Sequence, residues 1–259
     1  MRRTVPTRRA VVWEGFVRAR TLRIALVVLV AALPATAQVT TGERWLTLRL
    51  QRSWPDQGGT NDLIQLINEE FGADFETWDD KNVAHLGVSA VWRTARRLRV
   101  GVDLDYSRGA LENSTQVPLA DGGTVTLELD HKYTALLEAM AVAQLMPWPA
   151  LDPALPFFFV GVGVGYAKDR LTLRLGDQEE LAHATVHQNG FFPLLEIGAG
   201  VDLALFRNPD WYLQAGAAYA WGSLETSAPV EGELAPGATA TVETNVRGPR
   251  LWLGVGSRF

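Results

Sequence analysis

The residues best suited to chemistry in this chain are its four histidines, His85, His131, His183 and His187. His183 and His187 fall on one face of an extended segment, so both imidazoles could turn toward one ligand. The chain contains no cysteine, and no carboxylate pair near these two residues completes a metal site. The sequence therefore predicts neither a metal nor a cofactor.

A serine–histidine–acid hydrolase is the second chemistry that these residues allow. The candidate pairs combine His131 or His187 with Ser107 or Ser114. None of them stands in a recognisable catalytic motif. We expect no enzyme activity, and a hydrolase that modifies lipid A is the less favoured alternative.

Charged residues also occur at alternating positions within apolar, strand-like segments. Alternate side chains of a strand point to opposite faces, so these residues share the face opposite the apolar one. Paired carboxylates there could serve acid–base chemistry, but unpaired buried charges are costly and arginines are available to neutralise them. We predict an interior polar network, with at least one carboxylate–guanidinium contact to Glu138 or Glu196. Its members are Arg49, Arg99, Asp103, Glu138, Glu196, Asp202 and Arg250.

Eight strand-like runs position these residues. They lie at about 44–52, 83–93, 97–107, 125–145, 156–168, 191–206, 211–222 and 247–259. Short connections (94–96, 147–156 and 207–210) alternate with long ones (53–82, 108–124, 169–190 and 223–246). Transmembrane barrels alternate in this way, with short periplasmic turns and long outer loops. The sequence predicts an all-β, eight-stranded antiparallel up-and-down transmembrane barrel.

Aromatic residues cluster toward the two ends of these runs. Such belts are typical of barrels, whose amphipathic rings lie at the depth of the lipid headgroups. We predict a girdle at the short-turn end from Trp45, Trp92, Trp148, Trp211 and Phe259. We predict a second girdle at the loop end from Tyr106, Tyr133, Tyr166 and Trp221.

The first long connection carries the one helix signal. Thr60 or Asn61 can cap its start, an apolar stripe runs through residues 63–71, and Gly72 can end it. We expect a short helix over the barrel mouth, with contact to lipid or a partner as the alternative.

The start of the chain predicts export. An apolar run follows Arg18, Arg20 and Arg23 and ends in Ala35-Thr36-Ala37, a small-x-small cleavage site. We assign residues 1–37 to a signal peptide and 38–259 to the barrel, and Val17 is a possible true start. Removing seven arginines and one glutamate leaves 17 basic and 28 acidic residues, a formal charge of −11. That charge argues against a nucleic-acid partner.

Several segments carry a family resemblance. Pro156–Tyr166, Gly198–Asp202, Asn208–Trp211 and a last strand that ends on Phe259 resemble the eight-stranded outer-membrane proteins of the OmpA and OmpW type. The resemblance implies an outer-membrane location and assembly by the barrel-assembly machinery through the last strand. It also implies outer-membrane lipid and lipopolysaccharide as partners, and it leaves any surface ligand open.

Two functions remain open at this stage. One is a structural or surface-binding barrel whose interior is filled by the polar network. The other, which the resemblance to OmpW-type barrels suggests, is a conduit for small hydrophobic molecules.

Overall fold

The structure, a computed structural model, describes residues 42–78, 81–118, 123–148, 153–177, 180–205, 210–234 and 236–259. The predicted signal peptide, residues 1–37, lies outside the described residues. The described residues form one helix, α1 (Gly58–Phe71), and ten strands. The strands are β1 (Arg44–Ser53), β2 (Val83–Ala95), β3 (Leu98–Pro118), β4 (Thr124–Leu145), β5 (Ala154–Asp177), β6 (Glu180–Ala204), β7 (Trp211–Trp221), β8 (Ser223–Gly232), β9 (Thr239–Asn245) and β10 (Gly248–Arg258).

Eight of these strands close into a barrel. Each of β1 to β6 pairs antiparallel with the next strand, β7 pairs with β10, and β10 returns to β1. The closing seam runs from Trp45 opposite Arg258 to Ser53 opposite Arg250. A closed ring leaves no unpaired edge at membrane depth, which a membrane-spanning sheet requires. The predicted fold class is therefore confirmed.

The barrel wall is apolar outside and polar inside. In β1 the exposure alternates at every position, with Leu46, Leu48 and Leu50 on the outside and 47–68% exposed. Val88, Val102, Val164 and Ile197 continue this apolar exterior on other strands, at 41–50% exposure. Such a surface suits lipid rather than water. No described helix combines the length and the apolar character needed to cross a membrane.

Four strands continue well beyond the barrel wall. β3 to β6 have 21 to 25 residues, whereas β1, β7 and β10 have 10 or 11. The predicted loops 108–124 and 169–190 are therefore largely strands. A register shift between Tyr133 and Ala135 marks where β4 leaves the barrel. The extra residue of such a bulge reverses which alternate side chains point inward.

An outer cap covers the mouth of the barrel. It consists of the extensions of β3 to β6, the β8–β9 hairpin, α1 and the segment 73–78. The hairpin joins the extended sheet where β8 pairs with β6 over Ala184–Val186. Side chains of the α1 region bond to the backbone of β9: Gln57 bridges Asn245, and Thr60 donates to the carbonyl of Glu243. Asn113 of β3 bridges the backbone of Glu76 in the same manner.

Helix α1 begins earlier than the capping pattern predicted. Its N-cap is Gln57, not Thr60 or Asn61, and the predicted end at Gly72 in the left-handed conformation is correct. Thr60 and Asn61 are inside the helix because their side chains bond elsewhere: Asn61 accepts a hydrogen bond from the backbone N–H of Trp78. Ile64 and Ile67 of α1 pack inside the cap with Phe75, Trp78, Leu127 and Leu129.

The wall predicts a large cost for any charge on its apolar face. Ile197→Arg should lower the free energy of unfolding in phospholipid vesicles by about 2–4 kcal/mol, because the guanidinium enters the hydrocarbon. Thr239→Arg, at an exposed cap position, is the control and should change it little. Urea titration of both variants checks this, and equal stabilities would contradict a lipid-facing Ile197.

Candidate functional site: a sealed lumen beneath the outer cap

The half of the lumen nearer the outer cap, called the upper lumen, contains a buried triad of Arg250, Glu138 and Glu196. The half nearer the short turns is called the lower lumen. Arg250 of β10 donates two hydrogen bonds to Glu138 of β4, at 2.6 and 2.8 Å, and one to Glu196 of β6, at 3.0 Å. The three side chains are at most 3% exposed. This is the carboxylate–guanidinium contact that the sequence predicted across the upper interior.

A second triad crosses from β1 to β3. Arg49 donates to Asp103 at 2.7 Å and to Asp105 at 3.0 Å. Asp105 was missed in the sequence, although it is two residues from Asp103 and so shares its face. Arg49 therefore neutralises the aspartates of β3, which leaves Arg250 for both glutamates.

The lower lumen is crossed by Arg99 and Asp202. Their contact is 2.7 Å long, and Gln214 donates to the other oxygen of Asp202 at 2.9 Å. The guanidinium of Arg99 also lies over the ring of Trp45, 4.8 Å from its centroid, and 5.2 Å from that of Phe157. Aromatic faces attract a desolvated cation. Arg99 is thus held by one carboxylate and two rings.

The predicted girdles need two corrections. Trp45 is buried inside the barrel because it alternates with the outward Leu46. Tyr133 is buried in the cap because the β4 bulge turns it inward. Trp92, Trp148, Trp211, Trp221 and Phe259 are exposed, and Tyr106 and Tyr166 are half-buried.

One outward row supports the outer girdle. Tyr106 of β3 is opposite Leu137 of β4, which is opposite Tyr166 of β5, which is opposite Phe191 of β6. The rings of Tyr166 and Phe191 are 4.9 Å apart, and the side chain of Phe191 is 73% exposed. We call this row the outer aromatic row. We expect it to lie at the depth of the lipid headgroups on the loop side of the membrane.

Apolar side chains fill the space around the charged groups. Met146, Phe157, Phe159 and Trp252 form a cluster near the short-turn end, and Leu136, Met140 and Val142 belong to a larger one. Gly216 permits this filling, since a Cβ at that position would be 2.1 Å from the Trp252 ring. Between the triads and the cap, Ser53, His85 and Tyr133 border a cavity of only about 10 Å³. A ligand larger than water does not fit there.

The parts of the cap are joined to one another through His131. Trp78 donates its indole N–H to Nδ1 of His131 at 2.8 Å, so Nε2 carries the proton and faces the Asp169 carboxylate at 2.8 Å. The hydroxyl of Thr244 lies 2.9 Å from the same carboxylate and 3.2 Å from the Gln188 amide oxygen. Five elements of the chain therefore converge on one buried cluster.

The residues proposed for chemistry are separated from one another. His131 is committed to Asp169 and Trp78, and His187 is on the outer face of β6. Ser53 and His85 share a hydrogen bond of 2.7 Å, a pair that sequence reasoning missed, but both are buried in the lumen. Among the described residues no group of three or more histidines or carboxylates is placed to hold a metal ion.

Comparisons with known proteins give a fold likeness. No protein-family profile and no curated protein matches the chain by sequence. OprG of Pseudomonas aeruginosa, an outer-membrane protein, is 16% identical over 85% of this chain and 97% of its own, with a TM-score of 0.46. The attachment invasion locus protein Ail of Yersinia pestis is 13% identical, with coverages of 85% and 100% and a TM-score of 0.40. A major outer membrane protein of Thermus thermophilus is 14% identical, with coverages of 83% and 99% and a TM-score of 0.43.

The chain is thus similar to solved outer-membrane proteins in fold alone. With identities of 13–16% and TM-scores below 0.5, its own strand pairing establishes the fold.

The upper triad predicts a graded loss of stability. Glu138→Ala removes both strong bonds of Arg250 and should cost about 3–5 kcal/mol, the usual effect of breaking a buried pair. Glu196→Ala should cost less, because Arg250 keeps its two bonds to Glu138. Denaturant unfolding gives the order, with Glu69→Ala on the exposed face of α1 as control. Equal losses at Glu138 and Glu196 would contradict this assignment.

The cap lock predicts a local effect. Thr244→Val keeps the shape of the side chain but removes the hydroxyl that Asp169 accepts from, so about 1–3 kcal/mol of stability should be lost there. Amide exchange in β9 should accelerate while exchange in the barrel strands stays slow. Thr241→Val, on the exposed face of the same strand, is the matched control. Unchanged exchange in Thr244→Val would show that this lock does not hold the cap.

Proposed function

We propose that the protein is an integral outer-membrane barrel with a structural or surface-binding role and a sealed interior. The observation that carries this proposal is the closure of the lumen at three levels, by the Arg250, Arg49 and Arg99 contacts. The outer cap closes the mouth above them with its own apolar core. The exposed cap sheet is then the part available to the surroundings.

The apolar wall and the girdles support outer-membrane lipid and lipopolysaccharide as the partners of the barrel. The closing strand supports recognition by the barrel-assembly machinery, since β10 completes the ring by pairing with β7 on one side and β1 on the other. Secretion through a signal peptide that is cleaved near Ala37 completes this proposal.

A conduit for small hydrophobic molecules is the second candidate. Its support is a groove of about 570 Å³ in the wall, lined by Leu50, Leu251 and Leu253 outside and by His85 and Trp252 toward the lumen. A lateral path would have to pass Trp252, which packs edge-on against Phe159 with ring centroids 5.5 Å apart. A hydrolase is favoured less, because Ser53 and His85 are both buried and the cavity that they border together measures only about 10 Å³.

Conductance separates the first two functions. Purified protein in planar lipid bilayers should give no stable ion conductance, because Arg–carboxylate contacts cross the lumen from β1 to β3, from β3 to β6 and from β10 to β4. Trp252→Ala is the test variant for the conduit and should not raise the uptake of a small apolar dye into vesicles. Large, stable conductance by the native protein would overturn the sealed lumen, and dye uptake that rises in the variant would favour the conduit.

A further inference from the structure

A polar cleft of about 400 Å³ lies on the outer face of the cap sheet. Arg170 and Arg174 of β5 have the same alternation as Tyr166, and His183 and His187 of β6 have the same alternation as Phe191. The register of this strand pair is unbroken over that length. The cleft is therefore a continuation of the lipid-facing surface, beyond the outer aromatic row.

The cleft is built as a ladder of three rungs. Arg170 is opposite His187, Thr172 is opposite Thr185, and Arg174 is opposite His183. The two threonines form the floor, buried and 3.2 Å apart through their hydroxyls. The two rungs that contain arginine thus lie on either side of the threonine rung. The Cα atoms of Arg170 and Arg174 are about 13 Å apart, because four residues of strand rise ~3.3 Å each.

Acidic side chains flank the ladder. Asp130 of β4 and Glu231 of β8 are opposite the threonine rung on its two sides. Glu128 of β4 contacts Arg174 at 3.3 Å. Lys132 donates to Asp130 and Glu112, and these hydrogen bonds raise the pKa of its ammonium. The lysine is therefore held outside the cleft.

Arg170 is the cation left for a ligand. Among the described residues it has no carboxylate partner within 4 Å, and its buried Nε has no hydrogen-bond acceptor. A buried donor without an acceptor is costly, so the site favours a ligand that supplies one. A guanidinium offers two parallel donors that match the oxygens of a phosphate.

We propose that this cleft binds a phosphorylated sugar of the surrounding lipopolysaccharide. Phosphate groups would contact the Arg170–His187 and Arg174–His183 rungs, and sugar hydroxyls would donate to Glu231 and bond to the threonines between the two rungs. The mixture of cations and carboxylates fits a phosphorylated sugar better than a uniform polyanion. The inference deepens the proposed surface-binding role and rests on the proposed membrane orientation.

The height of the cleft above the outer aromatic row favours a phosphorylated sugar that is attached to a neighbouring lipid. Arg170 is four residues and Arg174 eight residues beyond Tyr166, which is about 13 and 26 Å along the strand. With the usual barrel tilt of ~40°, the rungs lie about 10 and 20 Å above the outer aromatic row. Sugars attached to the neighbouring lipids occupy this layer.

The test uses purified protein in detergent micelles. The probe is water-soluble core oligosaccharide, prepared from lipopolysaccharide by removal of its acyl chains with the phosphates retained. Its affinity is measured by calorimetry, and the carbon-bound ring protons of His183 and His187 report the site by NMR. Binding should shift these signals and leave those of the buried His85 and His131 in place.

Two changes should each weaken this binding at least about tenfold: phosphatase treatment of the probe, and the double variant Arg170→Gln/Arg174→Gln. The control is Arg96→Gln/Arg97→Gln, whose arginines are exposed at the turn between β2 and β3 at the other end of the barrel. Far-UV circular dichroism and the resistance of the folded barrel to detergent show that each variant is folded.

Equal affinity of the double variant and the native protein, or indifference to phosphatase, would overturn the proposal. Heparin fragments that bind as tightly as the core oligosaccharide would overturn the lipopolysaccharide source. The proposed membrane location fails separately, if the native protein fractionates without detergent in the soluble periplasm.

Discussion

Eight strands enclose a lumen that is only wide enough for side chains, so each inward charge must find its partner across that lumen. This constraint explains why Arg250 contacts carboxylates of both β4 and β6, and why Arg49 of β1 contacts two aspartates of β3. Each guanidinium links strands that are distant in sequence. The contacts therefore close the lumen and also fix the ring against shear, because breaking one leaves a charge buried without its partner.

The barrel and its polar interior could be predicted from the sequence because both follow from alternation. Leu46, Leu48 and Leu50 face out, so Arg49 must face in, and the same rule places Glu138, Glu196 and Arg250. The partners of each charge could not be predicted this way. They depend on strand order and stagger around the ring, which paired Arg49 with Asp103 and Asp105.

The errors also have physical causes. Trp45 was placed in a girdle by its height along the strand, although alternation with Leu46 turns it inward, where it meets Arg99. Tyr133 was misplaced because one inserted residue at the β4 bulge reverses the alternation, and a periodic pattern does not reveal such an insertion. The long strand extensions were read as loops because their two faces are both covered or polar, so the apolar exterior that marks the barrel is absent there.

These extensions create a problem that the cap solves. Beyond the membrane the sheet is no longer a ring, so β3 and β9 have free edges that expose backbone donors and acceptors. The α1 segment lies between them, and Gln57, Thr60 and Asn113 supply side-chain hydrogen bonds where neighbouring strands are missing. The apolar stripe of α1 fills the space inside the cap, and the contacts of Trp78 with His131 and of His131 with Asp169 tie this segment to the extensions of β4 and β5. The inner face of the cap is buried in these contacts, so its outer face is the one available for recognition. The arginines and histidines of the ladder lie on that outer face.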